Sequence, residues 1–321
     1  VANWILSVEG VGAGLSAGCA VVIGIFDGVH RGHQALLAQA RAWAQAEGVP
    51  CVALTFDPHP SEVLRPEQPT PLLCPLAHRV ERLLQHGADL VVVQPFTREF
   101  AQLAAEAFIQ QVLVERLHAR AVVVGEDFRF GHRQQGDVAL LRRAGAFEVI
   151  PVPRVLDETG ERISSSRIRQ RIEVGALEEA AQLLGEPFYW AGVVVRGESR
   201  GATLGYPTAN LVPLGRLIRP PEGVYACVAH LEGKQYAAAV SVGTPPMFPH
   251  SPPMVEAYLI DFAPRPLYGR PIALQFLKRL RPQRKFESLD ALVAQMAHDV
   301  EQTRQIAVSA FAGANEGVLT G

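Results

Sequence analysis

The chain has 321 residues, enough for two domains of ordinary size that each bury a core. Its formal charge of −2 is spread over well-mixed charged residues, which gives no basic field of the kind that binds nucleic acid, and no apolar run reaches the length of a bilayer span. The four scattered cysteines fit a reducing compartment, and the opening residues lack the basic, apolar and cleavage regions of a secretory leader. A cytoplasmic protein without nucleic-acid or membrane partners is expected.

The run Gly10-Val-Gly-Ala-Gly-Leu-Ser-Ala-Gly18 imitates a dinucleotide fingerprint but is read as a loop, because that motif follows a strand and opens a helix. Ala20–Ile25 is the first expected strand. It leads into Gly24-Ile-Phe-Asp-Gly-Val-His-Arg-Gly-His33, and Leu36, Leu37, Ala40, Trp43 and Ala44 then recur at helical spacing up to Gly48. His30 and His33 therefore stand in a strand-to-helix turn. Unpaired N–H groups and the positive end of the helix dipole, approached closely past Gly24, Gly28 and Gly32, make a phosphate site there. Two histidines so placed are ordinarily surface or capping residues, so it is the order of strand, glycine turn and amphipathic helix that carries the reading. A zinc site fits less well, since further ligands at suitable spacing are missing.

Further strands are expected at Cys51–Phe56, Leu90–Gln94, Ala121–Gly125 and Val149–Val152, with helices around 76–86 and 101–117. This alternation predicts a parallel sheet with helices on both faces and ligands beyond the carboxyl ends of its strands. The loops at that edge carry the paired histidines, Asp57-Pro58-His59-Pro60 and Gly125-Glu126-Asp127-Phe128. Arg162-Ile-Ser-Ser-Ser-Arg-Ile-Arg169 then opens a helix at about Ser165; its hydroxyls and guanidiniums match the acceptor directions of a triphosphate.

After Gly185-Glu186-Pro187 the texture becomes short strand-like runs at 189–195, 225–230, 236–242, 255–262 and 272–280, separated by Gly and Pro, followed by a helical tail from about Ser288 to Ala310. A small antiparallel barrel or sandwich is expected, and the division is read as 1–185 and 186–315. This half carries Arg200-Gly-Ala-Thr-Leu-Gly-Tyr-Pro-Thr-Ala-Asn210 and Val255-Glu256-Ala-Tyr. No Gly-x-x-x-x-Gly-Lys-Ser/Thr element is present, so an ordinary P-loop is excluded. The Thr208 hydroxyl and Asn210 amide oxygen, on one face of an extended segment, can set a hydrated magnesium beside phosphates.

His30-Arg-Gly-His33 resembles the HxGH signature of the nucleotidyltransferase superfamily. The second motif set resembles the riboflavin kinase family, and the two together are similar, over about residues 18–310, to the prokaryotic bifunctional riboflavin kinase/FMN adenylyltransferase (FAD synthetase) family. The resemblance implies an α/β, Rossmann-like nucleotidyltransferase domain followed by a small six-stranded antiparallel β-barrel riboflavin kinase domain with a C-terminal helix. It implies ATP, riboflavin and FMN as substrates and Mg²⁺ as cofactor. Residue by residue, it gives His30 and His33 to adenylyl transfer, with Gly24, Phe26, Asp27 and Gly28 at the ATP and Ser164, Ser165, Ser166, Arg167 and Arg169 closing that site. Phe56, Pro58, Pro60, Asp127 and Phe128 fall to the flavin. In the kinase half, Gly201, Leu204, Gly205 and Pro207 cover ATP, Thr208 and Asn210 hold the metal, and Glu256 is the base. Ala202 stands where an arginine is frequent, and Thr244-Pro-Pro-Met-Phe replaces a commoner Asn-Pro-Thr-Phe. These departures mark the alternative of an adenylyltransferase with a non-catalytic flavin-binding module.

Overall fold

The computed structural model describes residues 3–11, 15–197, 200–243, 254–263 and 265–316; Thr244 to Phe248 and the Ala202 side chain lie outside the described residues. By its internal contacts the chain forms two units, Val1–Leu72 with Leu76–Ser165, and Leu73–Pro75 with Ser166–Gly321.

The first unit runs β1 (Trp4–Leu6), β2 (Cys19–Ile23), α1 (Arg31–Glu47), β3 (Cys51–Asp57), α2 (Pro60–Leu64), α3 (Leu76–Gln85), β4 (Leu90–Pro95), α4 (Arg98–Ala101), α5 (Ala105–Ala107) continuing into a π-helical stretch (Phe108–Arg116), β5 (Ala119–Gly125), α6 (Val138–Ala144) and β6 (Glu148–Val152). Among the described residues, its strands form one parallel sheet in the order β1-β4-β3-β2-β5-β6. Every residue of β2 is buried, as expected of a continuous apolar run covered on both faces. One face packs Val21, Ile23 and Leu54 against Phe108 and Leu113; the other packs Ala20, Val22 and Ala53 against Leu37, Ala40 and Leu83. From β2 the sheet proceeds to β3 on one side and β5 on the other, so the crevice between the ends of β2 and β5 is the topological switch point, where such sheets bind ligands.

Two expectations are corrected here. A strand, β1, precedes the glycine run that the sequence reading placed ahead of any strand; residues 12–14 of that run lie outside the described residues. The three residues of β1 are too few to show a period. The helix expected from His33 begins two residues earlier, at Arg31, because His30 caps it.

The second unit contains α7 (Ser165–Glu173, whose first residue belongs by contacts to the first unit), α8 (Leu177–Leu184), β7 (Phe188–Val195), α9 (Arg200–Thr203), β8 (Ala209–Pro213), β9 (Gly223–Leu231), β10 (Lys234–Gly243), β11 (Met254–Leu259), β12 (Pro271–Arg281) and α10 (Leu289–Glu316). Among the described residues, six antiparallel strands close a barrel in the order β10-β11-β8-β7-β12-β9. The sixth, β8, starts at the last two residues of the Gly-Tyr-Pro-Thr-Ala-Asn run and continues to Pro213. Trp190, Phe188, Tyr225 and Phe276 fill the interior, all less than 2% exposed. Helix α8 buries Leu177, Ala180, Leu183 and Leu184, and packs on β7 and β12.

Candidate active sites

The turn from β2 into α1 is built to hold two rings at a helix mouth. Phe26, Gly28 and Val29 all adopt positive φ, at 53°, 79° and 38°. For Phe and Val this backbone is strained and persists only where the surroundings over-determine it. Phe26 and Val29 are fully buried, the Thr55 hydroxyl donates to the Ile25 carbonyl at 3.0 Å, and Gln34 Nε2 donates to the Val29 carbonyl at 2.9 Å. His30 Nδ1 accepts from the His33 N–H at 3.4 Å. The two imidazoles stack with centroids 3.6 Å apart, and Phe26 meets His33 edge-on at 5.2 Å. Gly24 and Gly32 are needed for this packing: a Cβ would sit 3.0 Å from the Phe26 ring at the first and 3.1 Å from the His30 ring at the second. Burial, then the His30 and Arg79 charges, hold His33 well below the usual imidazole value. His33 is therefore neutral at physiological pH, and its buried Nδ1 has no hydrogen-bond partner among the described residues.

Around this turn the structure gathers Asp27, which is buried, and Ser165, whose hydroxyl donates to the Asp27 carbonyl at 3.1 Å. Asp127, at the end of β5, is exposed and pairs with Arg162 at 2.7 Å. Phe56, at the end of β3, begins a chain of ring contacts through Phe100 and Phe108 to Phe130, which stacks on Phe128 at 5.5 Å. Phe56 and Phe128 are half-buried. Pro58 follows Asp57, and Pro60 opens α2 behind His59, whose side chain forms a capping box with Glu62. Ser164 is half-buried, while Ser166, Arg167 and Arg169 lie on α7 and belong by contacts to the second unit.

Sequence reasoning missed Arg79. This α3 side chain is 3% exposed, and its Nη1 donates to the carbonyls of Ile25 (2.9 Å) and Phe56 (3.1 Å), its Nη2 to Asp57 Oδ1 (2.9 Å). The available signal is helical spacing: Arg79 falls on the stripe of Leu76, Val80 and Leu83, where a charge is out of place.

The barrel unit carries the second constellation. Val255, Ala257 and Leu259 of β11 point into the core, which leaves Glu256 half-buried on the other face. In register, Glu256 stands between Asn210 on β8 and Ser241 on β10. Asn210 shares that outer face yet is only 8% exposed, because the chain at Gly197 lies over it; a Cβ there would collide with the Asn210 carboxamide. Gly201 accepts at its carbonyl from the N–H groups of Leu204 (3.1 Å) and Tyr206 (2.8 Å), which folds 201–206 into a tight turn with Gly205 at φ +85°. A Cβ on Gly201 would strike the Tyr206 carbonyl and approach the Thr208 hydroxyl to 3.1 Å. Pro207 is exposed and Thr208 half-buried. The donors are hydroxyl and carboxamide oxygens, and among the described residues no group of three or more His, Cys, Asp or Glu could hold a metal. That set suits a hard cation carried mainly by phosphate and water.

Two family models match this chain: one described as FAD synthetase, over residues 14–167, and one described as riboflavin kinase, over 184–307. A bifunctional riboflavin kinase/FMN adenylyltransferase of Escherichia coli is 39% identical over 90% of this chain and 92% of its own. The chain belongs to the bifunctional riboflavin kinase/FMN adenylyltransferase family. The Listeria monocytogenes member is 37% identical over 88% of this chain and 91% of its own. A crystal structure described as a macrolide-efflux protein from Streptococcus pneumoniae is 36% identical, with a TM-score of 0.82, and covers 94% of this chain and 99% of that one. Membership in this family accounts for both halves of the chain at once, the HxGH sheet and the barrel.

Proposed function

We propose that the family's two reactions are carried by two separate residue sets, His30 and His33 at the switch point of the sheet and Glu256 with Thr208 and Asn210 on the barrel. The enzyme is a riboflavin kinase and FMN adenylyltransferase of flavin cofactor biosynthesis that uses ATP. In the first reaction the Glu256 carboxylate takes the proton of the riboflavin hydroxyl as that oxygen attacks the γ-phosphorus of ATP, and ADP leaves. In the second, a phosphate oxygen of FMN attacks the α-phosphorus of ATP and pyrophosphate leaves. That nucleophile is already ionised, so the protein's task is to place charge and donors rather than to remove a proton.

Neutral His33 fits this task because it keeps one ring N–H for a phosphate oxygen while the stack with His30 fixes its plane. Asp127 and the Phe56 and Phe128 rings offer a polar edge and apolar faces for the flavin, with Pro58 and Pro60 beside them in sequence. Thr208 and Asn210 would hold a divalent cation, read as Mg²⁺, which supplies charge neutralisation at the phosphates. The roles of Ser166, Arg167 and Arg169 rest on the sequence motif. A cytoplasmic location belongs to the same reading, supported by four buried cysteines that form no disulfide; no helix among the described residues is long and apolar enough to cross a membrane.

The observation that carries the assignment is that the histidine pair and the Asn210–Glu256 pair lie in different units. Steady-state assay of the full chain tests it. His30→Ala or His33→Ala should lower FAD formation about 10²–10³-fold and leave FMN formation near normal. Glu256→Gln should do the reverse, by roughly 10²–10⁴-fold. Parallel loss of both reactions in a folded variant would remove the separation.

A further inference from the structure

We propose that Arg79 is a positioning residue for adenylyl transfer, locking the turn after β2 and the carboxyl end of β3 into a single edge. The inference rests on the assignment of His30 and His33 above. Position 79 lies on the buried stripe of α3, where a leucine would hold the helix against the sheet with no charge to desolvate. What the guanidinium adds is directional: one nitrogen reaches the Ile25 and Phe56 carbonyls, and another reaches the Asp57 carboxylate. A planar fork can span a turn, a strand end and an anion at once, whereas an ammonium on a flexible stem does not reproduce that geometry.

The two segments have different duties. Ile25 immediately precedes Phe26, whose strained backbone sets the ring that meets His33, and the Ile25 carbonyl accepts from both Arg79 and Thr55. Phe56 and Asp57 begin the segment assigned to the flavin. Arg79 thus fixes the separation between the group that handles nucleotide phosphates and the segment that lines the acceptor. Its charge also contributes to the depressed pKa of His33, which agrees with a guanidinium close to the reacting end of the site.

An alignment role predicts loss in turnover rather than in substrate capture, because each segment still exists but the two are no longer held in register. A misplacement of about 1 Å costs on the order of 10²-fold in rate. The test uses the full chain carrying R79K, R79Q or R79A, with FAD formation from ATP and FMN and FMN formation from riboflavin measured on the same preparations. For R79K we expect kcat for FAD formation to fall about 10²-fold, KM for ATP and FMN to stay within a few-fold of wild type, and FMN formation to be unchanged. Added methylguanidine should recover part of the R79A activity. R79K with wild-type kcat for FAD, or with its loss confined to KM, overturns the proposal. So does a loss that disappears on cooling in step with recovery of the folded fraction, since that marks a purely structural residue. If R79A melts below the assay temperature, R79K and R79Q decide. His30→Ala in parallel separates the two ideas. Wild-type FAD formation by His30→Ala removes the site assignment itself, whereas an inactive His30→Ala beside a normal R79K removes only the clamp.

Discussion

His33 shows how one side chain ties function to stability. In the folded chain its pKa lies well below the ordinary 6.5, chiefly through burial, while in the unfolded chain it is ordinary. Folding therefore favours the neutral ring. Its stabilising share is complete above the unfolded value and is lost as pH falls below about 6.5, because the unfolded state then binds a proton that the folded state refuses. The slope for one such proton is about 1.4 kcal/mol per pH unit. Urea unfolding of the wild type between pH 7 and 5 should show this decline, and His33→Gln should flatten it; equal slopes would mean that the ring titrates normally when folded. Gly197 makes a second residue-scale case. Gly197→Ala must displace the Asn210 carboxamide, so FMN formation should fall by about 10²-fold while FAD formation from supplied FMN persists. Unchanged FMN formation would show that Asn210 has room to move.

Among the elements, α10 is tied to the end of β12 by a largely buried ion pair. Asp299 is 3% exposed and takes Arg281 Nε and Nη2 on its carboxylate at 2.8–3.1 Å, while Gln295 Nε2 donates to the same group at 2.8 Å. Asp299→Ala leaves the guanidinium at the end of β12 without its counterion, and a broken buried pair costs about 3–5 kcal/mol. Replacing both residues with apolar ones of similar size should recover much of that loss in urea titrations. A single substitution as mild as the double would show that the pair is solvated. These elements also show what the sequence discloses. The first site was legible because local rules meet in one segment: an apolar strand, glycines where rings press on the backbone, and a histidine able to cap α1. Five of the six barrel strands were legible as short strand-like runs separated by Gly and Pro, but β8 was not: Thr208 and Asn210 read only as part of an extended segment, and it is pairing with β7 and β11 that makes 209–213 a strand. Arg79 was missed for a related reason. Its partners lie 22 to 54 positions away, and nothing local announces a contact that tertiary folding creates.

At the scale of the whole molecule, composition and packing divide the chain at different places. The sequence reading put the division after residue 185, where composition changes; internal contacts put α7 and α8 with the barrel and divide the chain at 165/166. The physical difference is the face of α8. Leu177 and Ala180 are fully buried, and Leu183 and Leu184 are 4% exposed, against a helix surface that packs on β7 and β12. Three buried leucines contribute about 1.5–3 kcal/mol each, a sum comparable to the 5–15 kcal/mol that holds an ordinary domain. A fragment beginning at Glu186 should therefore be marginal, exposing the apolar surface of β7 and β12 that α8 covers, with poor solubility as the visible result. A fragment beginning at Ser166 should unfold cooperatively at a temperature well above it and phosphorylate riboflavin, since Thr208, Asn210 and Glu256 all lie within it. Thermal melts of the two fragments, with FMN formation assayed on each, decide the matter. Equal melting temperatures would show that α8 is dispensable and restore the division at 185. A folded Ser166 fragment that makes no FMN would mean that the kinase site needs residues from the first 165, and the separation of the two reactions by unit would fall with it.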